Sequence, residues 1–237
     1  MPMTALLPPL DLAAILWFTA LVAVYEFLSM RPRFFDSSIA AAVQRQREAW
    51  MIEMSERDNR IMDSQLLGWL VSGNAFFAST TALTIGGLAA LLGYGEKARQ
   101  IFESFPLAAP TSSVLWEIKV IFLMSIMVFA FFKFAWAFRL SHYTVIMMGA
   151  TPPPSYNREA RISHARRVAS LLGLVGEHSN RGMRSFYYTI AGLFWFFHPV
   201  AFIAATTGVL VILLRRDYWS MSRSILRGEA GGSARGV

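Results

Sequence analysis

SQLLGWLVSGNAFFASTTALTIGGLAALLGYG, residues 64–95, contains no Asp, Glu, Lys or Arg. About 20 helical residues are enough to cross the hydrocarbon core of a bilayer. Because lipid offers no hydrogen-bond partner to an open backbone, a stretch that crosses it must be an α-helix. The sequence therefore predicts a membrane-spanning helix here, with an expected extent of 66–92.

Three further apolar runs lie on either side of this stretch. Residues 12–30 carry one charge, Glu26; residues 114–140 are mostly apolar; and residues 185–214 lack all four charged residue types. Each run is long enough to cross a membrane as a helix. We therefore predict an all-α membrane protein built as a four-helix transmembrane bundle.

Two connecting segments have the pattern of amphipathic helices, predicted at 38–64 and 157–175. Ser37 or Ser38 in the first segment and Asn157 in the second stand where side chains cap helix N-termini, and apolar residues then recur at helical spacing. Each helix would lie in the cytoplasm, against the membrane or another subunit, or be an ordinary helix with a solvated face.

The domain organisation follows from these segments. We predict a short external N-terminus over 1–11, a single integral membrane domain over 12–220 and a disordered Gly-rich tail over 221–237.

The composition excludes several classes of function. The chain has no Cys, which rules out disulfides, thiolate nucleophiles and Cys-bound metal sites. It contains no zinc-hydrolase motif and no phosphate-binding Gly-rich loop. We expect no enzyme activity, no cofactor, no metal and no nucleic-acid partner. The expected partners are membrane lipids, a second copy of the chain and another membrane protein.

The basic residues predict an orientation that contains one conflict. Lys and Arg number zero before the first run, six between the first two, two in the next loop, six in the third and five in the tail. The positive-inside rule places the N-terminus outside an inner (plasma) membrane and both long loops in the cytoplasm. Four crossings would leave the Arg-rich tail outside. Either the tail is an exception, or the fourth run, with Pro199 at its middle, enters and returns on the cytoplasmic side.

Four polar residues inside the runs define a candidate polar cavity: Glu26, Asn74, Lys133 and His198. Helical rise places Glu26 and Lys133 at similar depth, roughly 6–9 Å inside the cytoplasmic interface. They would form an ion pair, or Lys133 would extend to the headgroups. His198 would satisfy a helix kinked at Pro199 or relay protons.

Small residues form a stripe along the second run at alternating spacings of four and three: Gly68, Ser72, Ala75, Ser79, Ala82 and Gly86. Such a stripe lets two helix backbones approach closely. The partner would be another helix of this chain or the same helix of another subunit.

An ordered set of motifs runs through most of the chain. It comprises Trp50-Met51, Phe76-Phe77-Ala78-Ser79-Thr80-Thr81, Ala135-Trp136-Ala137, Gly149-Ala150-Thr151-Pro152 and Asn180-Arg181-Gly182. Over about residues 12 to 220 the chain resembles a family of bacterial and plant membrane proteins known only as a domain of unknown function. The resemblance implies a multi-pass membrane protein and carries no substrate, cofactor or catalytic residue.

The motifs and helix ends bring charged and polar residues to one predicted cytoplasmic mouth: Arg57, Asp58, Arg60, Asp63, Arg139, Asn180, Arg181 and Arg184. Such a cluster would bind an anion, a lipid phosphate or another subunit. Alternatively, its members would pair with one another and fix the cytoplasmic helices.

Two functions of different classes follow. The first is a homo-oligomeric channel or carrier for a small ion, with a polar interior. The second is a non-transporting scaffold or accessory subunit of a membrane complex, with docking surfaces on the small-residue stripe and the cytoplasmic helices.

Overall fold

The computed structural model describes residues 7–105 and 110–228, except for the side chains of residues 32 and 33. The described residues form helices and no strand. The helices are α1 (Pro9–Met30), α2 (Pro32–Ser37), α3 (Ile39–Glu56), α4 (Ile61–Gly93), α5 (Gly95–Glu103), α6 (Ser113–Gly149), α7 (Arg158–Leu193), α8 (Pro199–Tyr218) and α9 (Met221–Arg227).

Four segments of the described chain are long and apolar enough to cross a membrane. They are Pro9–Met30, Ile61–Gly93, Ser113–Gly149 and Pro199–Arg227. The predicted all-α class with four such helices is confirmed.

The fourth apolar run is divided between two helices, unlike the single helix predicted over 185–214. Helix α7 extends through the predicted 157–175 helix to Leu193, a 3₁₀ turn follows at Phe194–Phe196, and α8 begins at Pro199. Proline has no N–H and clashes with the carbonyl four residues earlier, but it is well tolerated in a first helical turn. The His198 ring nitrogen Nδ1 accepts a 3.1 Å hydrogen bond from Val200 N, which caps the new helix.

The predicted helix at 38–64 is also divided. Ser38 Oγ accepts from Ala41 N at 3.3 Å and caps α3. Helix α3 ends at Glu56, and the backbone of the next residue, Arg57, is extended (φ −91°, ψ 138°). Asn59 Oδ1 then accepts from Ile61 N at 3.0 Å and starts α4. The connection is a tight turn with a cap at each end.

The chain divides into two compact units, and α4, α6, α7 and α8 each contribute residues to both. Unit 1 takes in the described parts of 1–31, 79–131 and 182–213. An aromatic cluster fills its interior. Phe18 packs edge-on against Phe122 at 5.1 Å between ring centroids and stacks on Phe202 at 5.4 Å. Trp195 stacks on Phe202 as well, at 5.4 Å.

Unit 2 takes in the described parts of 32–78, 132–181 and 214–237. Its aliphatic core is formed by α3, α4, α6 and α7 and includes Met51, Met54, Leu67, Leu140 and Leu172. Gln44 Nε2 donates to Ala169 O at 3.0 Å and ties α3 to α7.

The segment after α8 forms the short helix α9, within the tail predicted as disordered. Arg223 Nε donates to Ser37 O at 2.6 Å, and Arg227 Nη2 donates to Asp36 O. Gln46 Nε2 donates to Leu226 O at 3.2 Å. Helix α9 is thus held on α2 and α3 of the same unit. The rest of the predicted disordered tail, 229–237, lies outside the described residues.

Candidate functional site

A buried carboxylate lies near the start of α1 in unit 1. The Asp11 residue is 5% exposed, and Trp195 Nε1 donates to its Oδ1 at 2.7 Å. The Lys119 ammonium, on α6 and 2% exposed, lies 3.9 Å from the same oxygen and 5.5 Å from the Trp195 ring centroid. At 3.9 Å the two charges attract, but they are too far apart for a hydrogen bond.

A second acid–base pair lies near the end of α1 in the same unit. Arg184 Nη1, on α7, donates to Glu26 Oε1 at 3.0 Å. The Tyr188 hydroxyl lies 3.4 Å from that oxygen. The Arg184 guanidinium carbon also lies 5.0 Å from the Tyr25 ring centroid, which is cation–π geometry. Glu26 is therefore held by a cation from a neighbouring helix.

The two pairs share α1, and an aromatic layer lies between them. Asp11 and Glu26 are 15 residues apart, about 22 Å along a helix. Phe18 lies midway and is buried. It contacts Phe122 and Phe202, and its ring centroid is 6.0 Å from that of Tyr188. We call Phe18, Phe122 and Phe202 the aromatic layer.

Charges at these positions are unusual for membrane helices. Both acids lie in the candidate span Pro9–Met30, and Lys119 lies in the span Ser113–Gly149. A charged side chain at the bilayer centre costs about 2.5–3.5 kcal/mol on insertion scales, and pairing reduces that cost. Charged residues kept in such places commonly mark ion pathways. Unit 1 therefore has two acid–base pairs with an aromatic layer between them.

The four residues of the predicted polar cavity are divided between the two units. Glu26 and His198 lie in unit 1, whereas Asn74 and Lys133 lie in unit 2. Glu26 pairs with Arg184, and Asn74 Nδ2 donates to Ser141 Oγ at 3.5 Å. His198 is exposed and immediately precedes the fourth candidate span, because the helix breaks there. The Glu26–Lys133 pair stays a prediction.

Part of the predicted cytoplasmic mouth forms a compact connection between α3 and α4. Arg57 Nη1 lies 2.8 Å from Asp63 Oδ1, and Trp50 Nε1 donates to the same oxygen at 2.7 Å. Arg60 donates to the main-chain oxygens of Thr151 and Pro152, at 2.7 and 2.8 Å. These contacts match the alternative in which the cluster fixes the helices.

The other mouth residues have separate surroundings. Arg139 Nε donates to Tyr143 Oη at 3.0 Å, and Arg181 lies 2.8 Å from Glu177. Asp58 and Asn180 are exposed. Arg184 belongs to unit 1 and to the Glu26 pair. A common anion site for the whole set stays a prediction.

The small-residue stripe lies largely on the surface of α4. Gly68, Ser72, Ser79, Ala82 and Gly86 are exposed, and Ala75 is half-buried. A Cβ atom built on Gly68 or Gly86 would meet no atom within 4 Å. Most of the stripe is thus open to a partner from outside the chain.

Sequence reasoning missed Asp11, Lys119 and their contact with Trp195. Asp11 lies in the predicted N-terminus over 1–11, and Lys119 follows the start of the third apolar run by only five residues, so neither interrupts a hydropathy pattern. The sequence did offer one signal for this pair, because Asp11 and Lys119 have opposite charges and lie near the ends of two apolar runs. Among the described residues no group of three His, Asp or Glu could hold a metal ion.

The family to which this all-α chain with membrane-length helices belongs is identified by its sequence. The model of the family described as "Protein of unknown function, DUF599" matches residues 13–222. The chain therefore belongs to the DUF599 family, as the resemblance of its motifs implied. No curated protein and no solved structure matches the chain.

Proposed function

We propose that this protein is a carrier for a small cation, in which the two α1 carboxylates bind the ion in turn. The supporting observation is the loose Asp11–Lys119 pair, whose charges lie 3.9 Å apart in a buried setting. A carboxylate that is neutralised without being hydrogen-bonded to its cation can exchange that cation for another at modest cost.

The aromatic layer favours a carrier over an open pore. Phe18, Phe122 and Phe202 pack between the two acid–base pairs without a polar group of their own. Such a layer blocks a continuous file of water, so an ion would pass only when the packing rearranges. Asp11 and Glu26 would be the binding groups on the two sides of this barrier.

The carrier is proposed to be a homo-oligomer packed through α4. The exposed Gly68, Ser72, Ser79, Ala82 and Gly86 support this, since small residues permit close contact between helices in lipid. Of the two partners left open for the stripe, another subunit is favoured because so little of this chain covers it.

The proposed location is the inner (plasma) membrane, with the N-terminus outside and the long loops and tail in the cytoplasm. Helix α9 supports a cytoplasmic tail, because Arg223 and Arg227 hydrogen-bond to the first Arg-rich connection. The helix break before Pro199 supports a return of the chain to that side. The tail then agrees with the positive-inside rule.

Ion flux into liposomes tests the carrier. Wild-type protein should move protons, Na⁺ or K⁺ faster than protein-free liposomes, and Asp11→Asn and Glu26→Gln should each slow this flux at least about tenfold. Glu117→Gln is the matched control, since this exposed α6 carboxylate lies close to Lys119 in sequence.

Absence of flux of all three ions with wild-type protein would contradict the proposal. If the protein also co-purified with one fixed membrane partner, the scaffold or accessory-subunit function would replace it. If Asp11→Asn carried as much flux as the control Glu117→Gln, Asp11 would not be an ion-binding group.

A further inference from the structure

Unit 2 contains a cavity of about 230 Å³ between α3, α4 and α7. Its wall is mostly apolar and includes Leu70, Phe77, Leu172 and Val175. Arg47 lines the same cavity from α3. Ligand pockets for whole small molecules are commonly about 300–1,000 Å³. This cavity therefore suits one part of a larger molecule.

Arg47 is a half-buried cation without a carboxylate partner among the described residues. Within the described part of the chain, its one hydrogen bond runs from Nη1 to Gln44 Oε1 at 3.5 Å. The acids next to the cavity are engaged elsewhere: Glu48 pairs with Arg166 at 3.0 Å, and Glu177 pairs with Arg181 at 2.8 Å. Burial lowers the pKa of Arg47, yet a guanidinium stays charged in proteins.

The backbone of α7 is shaped to admit this guanidinium. Arg47 lies against Gly176, and a Cβ atom built there would be 2.3 Å from Arg47 Nη2. Any side chain at residue 176 would therefore push the guanidinium away. The arrangement leaves several N–H donors of Arg47 available to an anion, the group that guanidinium binds most strongly.

The most exposed residues that line the cavity belong to a membrane-length helix. Trp69, 83% exposed, and the exposed Leu70 and Gly73 all belong to the candidate span Ile61–Gly93. An occupant that reaches Arg47 from this side has an anionic group beside an apolar portion. Anionic phospholipids have that chemistry, and basic residues next to membrane helices commonly bind them.

We propose that this cavity binds an anionic phospholipid, with its phosphate on Arg47 and the start of an acyl chain against Leu70 and Phe77. Phosphate oxygens satisfy the guanidinium donors, and the apolar wall of α4 and α7 covers the first methylene groups. This site is separate from the acid–base pairs of unit 1.

Fluorescence quenching measures the binding directly. The purified protein is reconstituted in phosphatidylcholine vesicles that contain a rising share of dibrominated phosphatidylglycerol, or of dibrominated phosphatidylcholine for comparison. Trp69 lines the cavity, so the quenching that is lost in Trp69→Phe reports on this site. Phosphatidylglycerol should quench that signal at about a tenfold lower mole fraction, as one charged hydrogen bond would produce.

Variants separate the site from general surface charge. Arg47→Gln should remove the preference for phosphatidylglycerol, and Gly176→Ala should weaken it while keeping every charge. Arg45→Gln, which removes the same charge from an exposed position two residues away, should leave the preference unchanged. Loss of the preference in Arg45→Gln would overturn the proposal.

Two further outcomes also decide the matter. Equal quenching of the Trp69 signal by the two brominated lipids overturns the proposal. Inorganic phosphate at millimolar concentration should not compete with the lipid. If it displaces the brominated phosphatidylglycerol, the site binds free anions and the lipid assignment fails.

Discussion

Trp195 Nε1 donates a 2.7 Å hydrogen bond to Asp11 Oδ1, joining residues 184 positions apart in the sequence. Trp195 lies in the turn between α7 and α8, and Asp11 lies in the first turn of α1. The bond therefore holds the turn that divides the fourth apolar run against the start of the first membrane helix. The bond also occupies Oδ1 of Asp11, the carboxylate that we propose as an ion-binding group.

Trp195→Phe should destabilise the protein by about 2 kcal/mol, the usual contribution of a hydrogen bond to a charged group. The smaller phenyl ring also leaves space in the buried site, so the hydrogen bond sets the least destabilisation expected. Thermal unfolding in detergent measures the effect. Trp219→Phe, at a position 74% exposed, should leave the melting temperature unchanged. An unchanged melting temperature in Trp195→Phe would show that Asp11 needs no donor there.

Glu56 gives the protein a predictable response to acid. A hydrogen bond from Arg161 at 2.9 Å holds the pKa of Glu56 below its ordinary value of 4.5. Because the folded pKa is the lower one, this stabilisation is complete above pH 4.5 and declines as the pH falls through the folded value.

The melting temperature of the wild-type protein should thus fall more steeply below about pH 4.5 than that of Glu56→Gln. Glu53→Gln, at an exposed position on the same helix, serves as the control and should follow the wild type. A Glu56→Gln curve parallel to the wild-type curve over the acid range would refute the assignment.

Gly86→Leu tests the α4 stripe as a contact between subunits. A Cβ atom built on Gly86 meets nothing within 4 Å beyond the adjoining backbone of α4, so the monomer should fold normally. In an oligomer the added bulk would separate the two backbones. Cross-linking in membranes should show fewer oligomers than wild type, whereas Gly208→Leu, at an equally open glycine of α8, should match wild type. A monomeric wild-type protein would exclude the contact.

Single-cysteine labelling tests the orientation, because the native chain has no Cys. Ser222→Cys on α9 should resist a membrane-impermeant maleimide in intact cells and react after lysis. Lys97→Cys on α5 should react in intact cells. Both positions are exposed. Labelling of Ser222→Cys from outside would place the tail on the far side and restore the conflict with the positive-inside rule.

The existence of the membrane helices could be predicted because hydropathy over about 20 residues reflects the free energy of transferring a helix from water into lipid. That free energy depends little on tertiary contacts. The helix cap at Asn157 was equally predictable, since capping is local, and the cap at Ser38 was one of two adjacent candidates, Ser37 or Ser38. Asn157 Oδ1 indeed accepts from Glu159 N and Ala160 N, at 2.9 and 3.1 Å.

The division at Pro199 could be suspected but not decided from the sequence. A proline in an apolar run can kink one helix or separate two, and the difference depends on contacts such as that between Trp195 and Asp11. Hydropathy is the same in both cases.

The contact between Glu26 and Arg184 could not be predicted from the sequence, for another reason. Helical rise gives the depth of a residue but not the direction in which its side chain points. The sequence placed Lys133 at the depth of Glu26 and Arg184 only among the mouth residues, so the 3.0 Å contact between Arg184 and Glu26 was not predicted. Arg60 donates to the main-chain oxygens of Thr151 and Pro152, and a pattern of charged residues cannot predict such main-chain partners.

The attachment of α9 also sets an order of assembly during synthesis. The carbonyl groups of Ser37 and Asp36 receive their donors from residues that the ribosome adds 186 and 191 positions later. At about 5–20 residues per second, this interval is roughly 10 to 40 s. Throughout that time these two carbonyl groups lack their arginine donors, so α9 can dock on α2 and α3 only after the other helices of the chain have been synthesised.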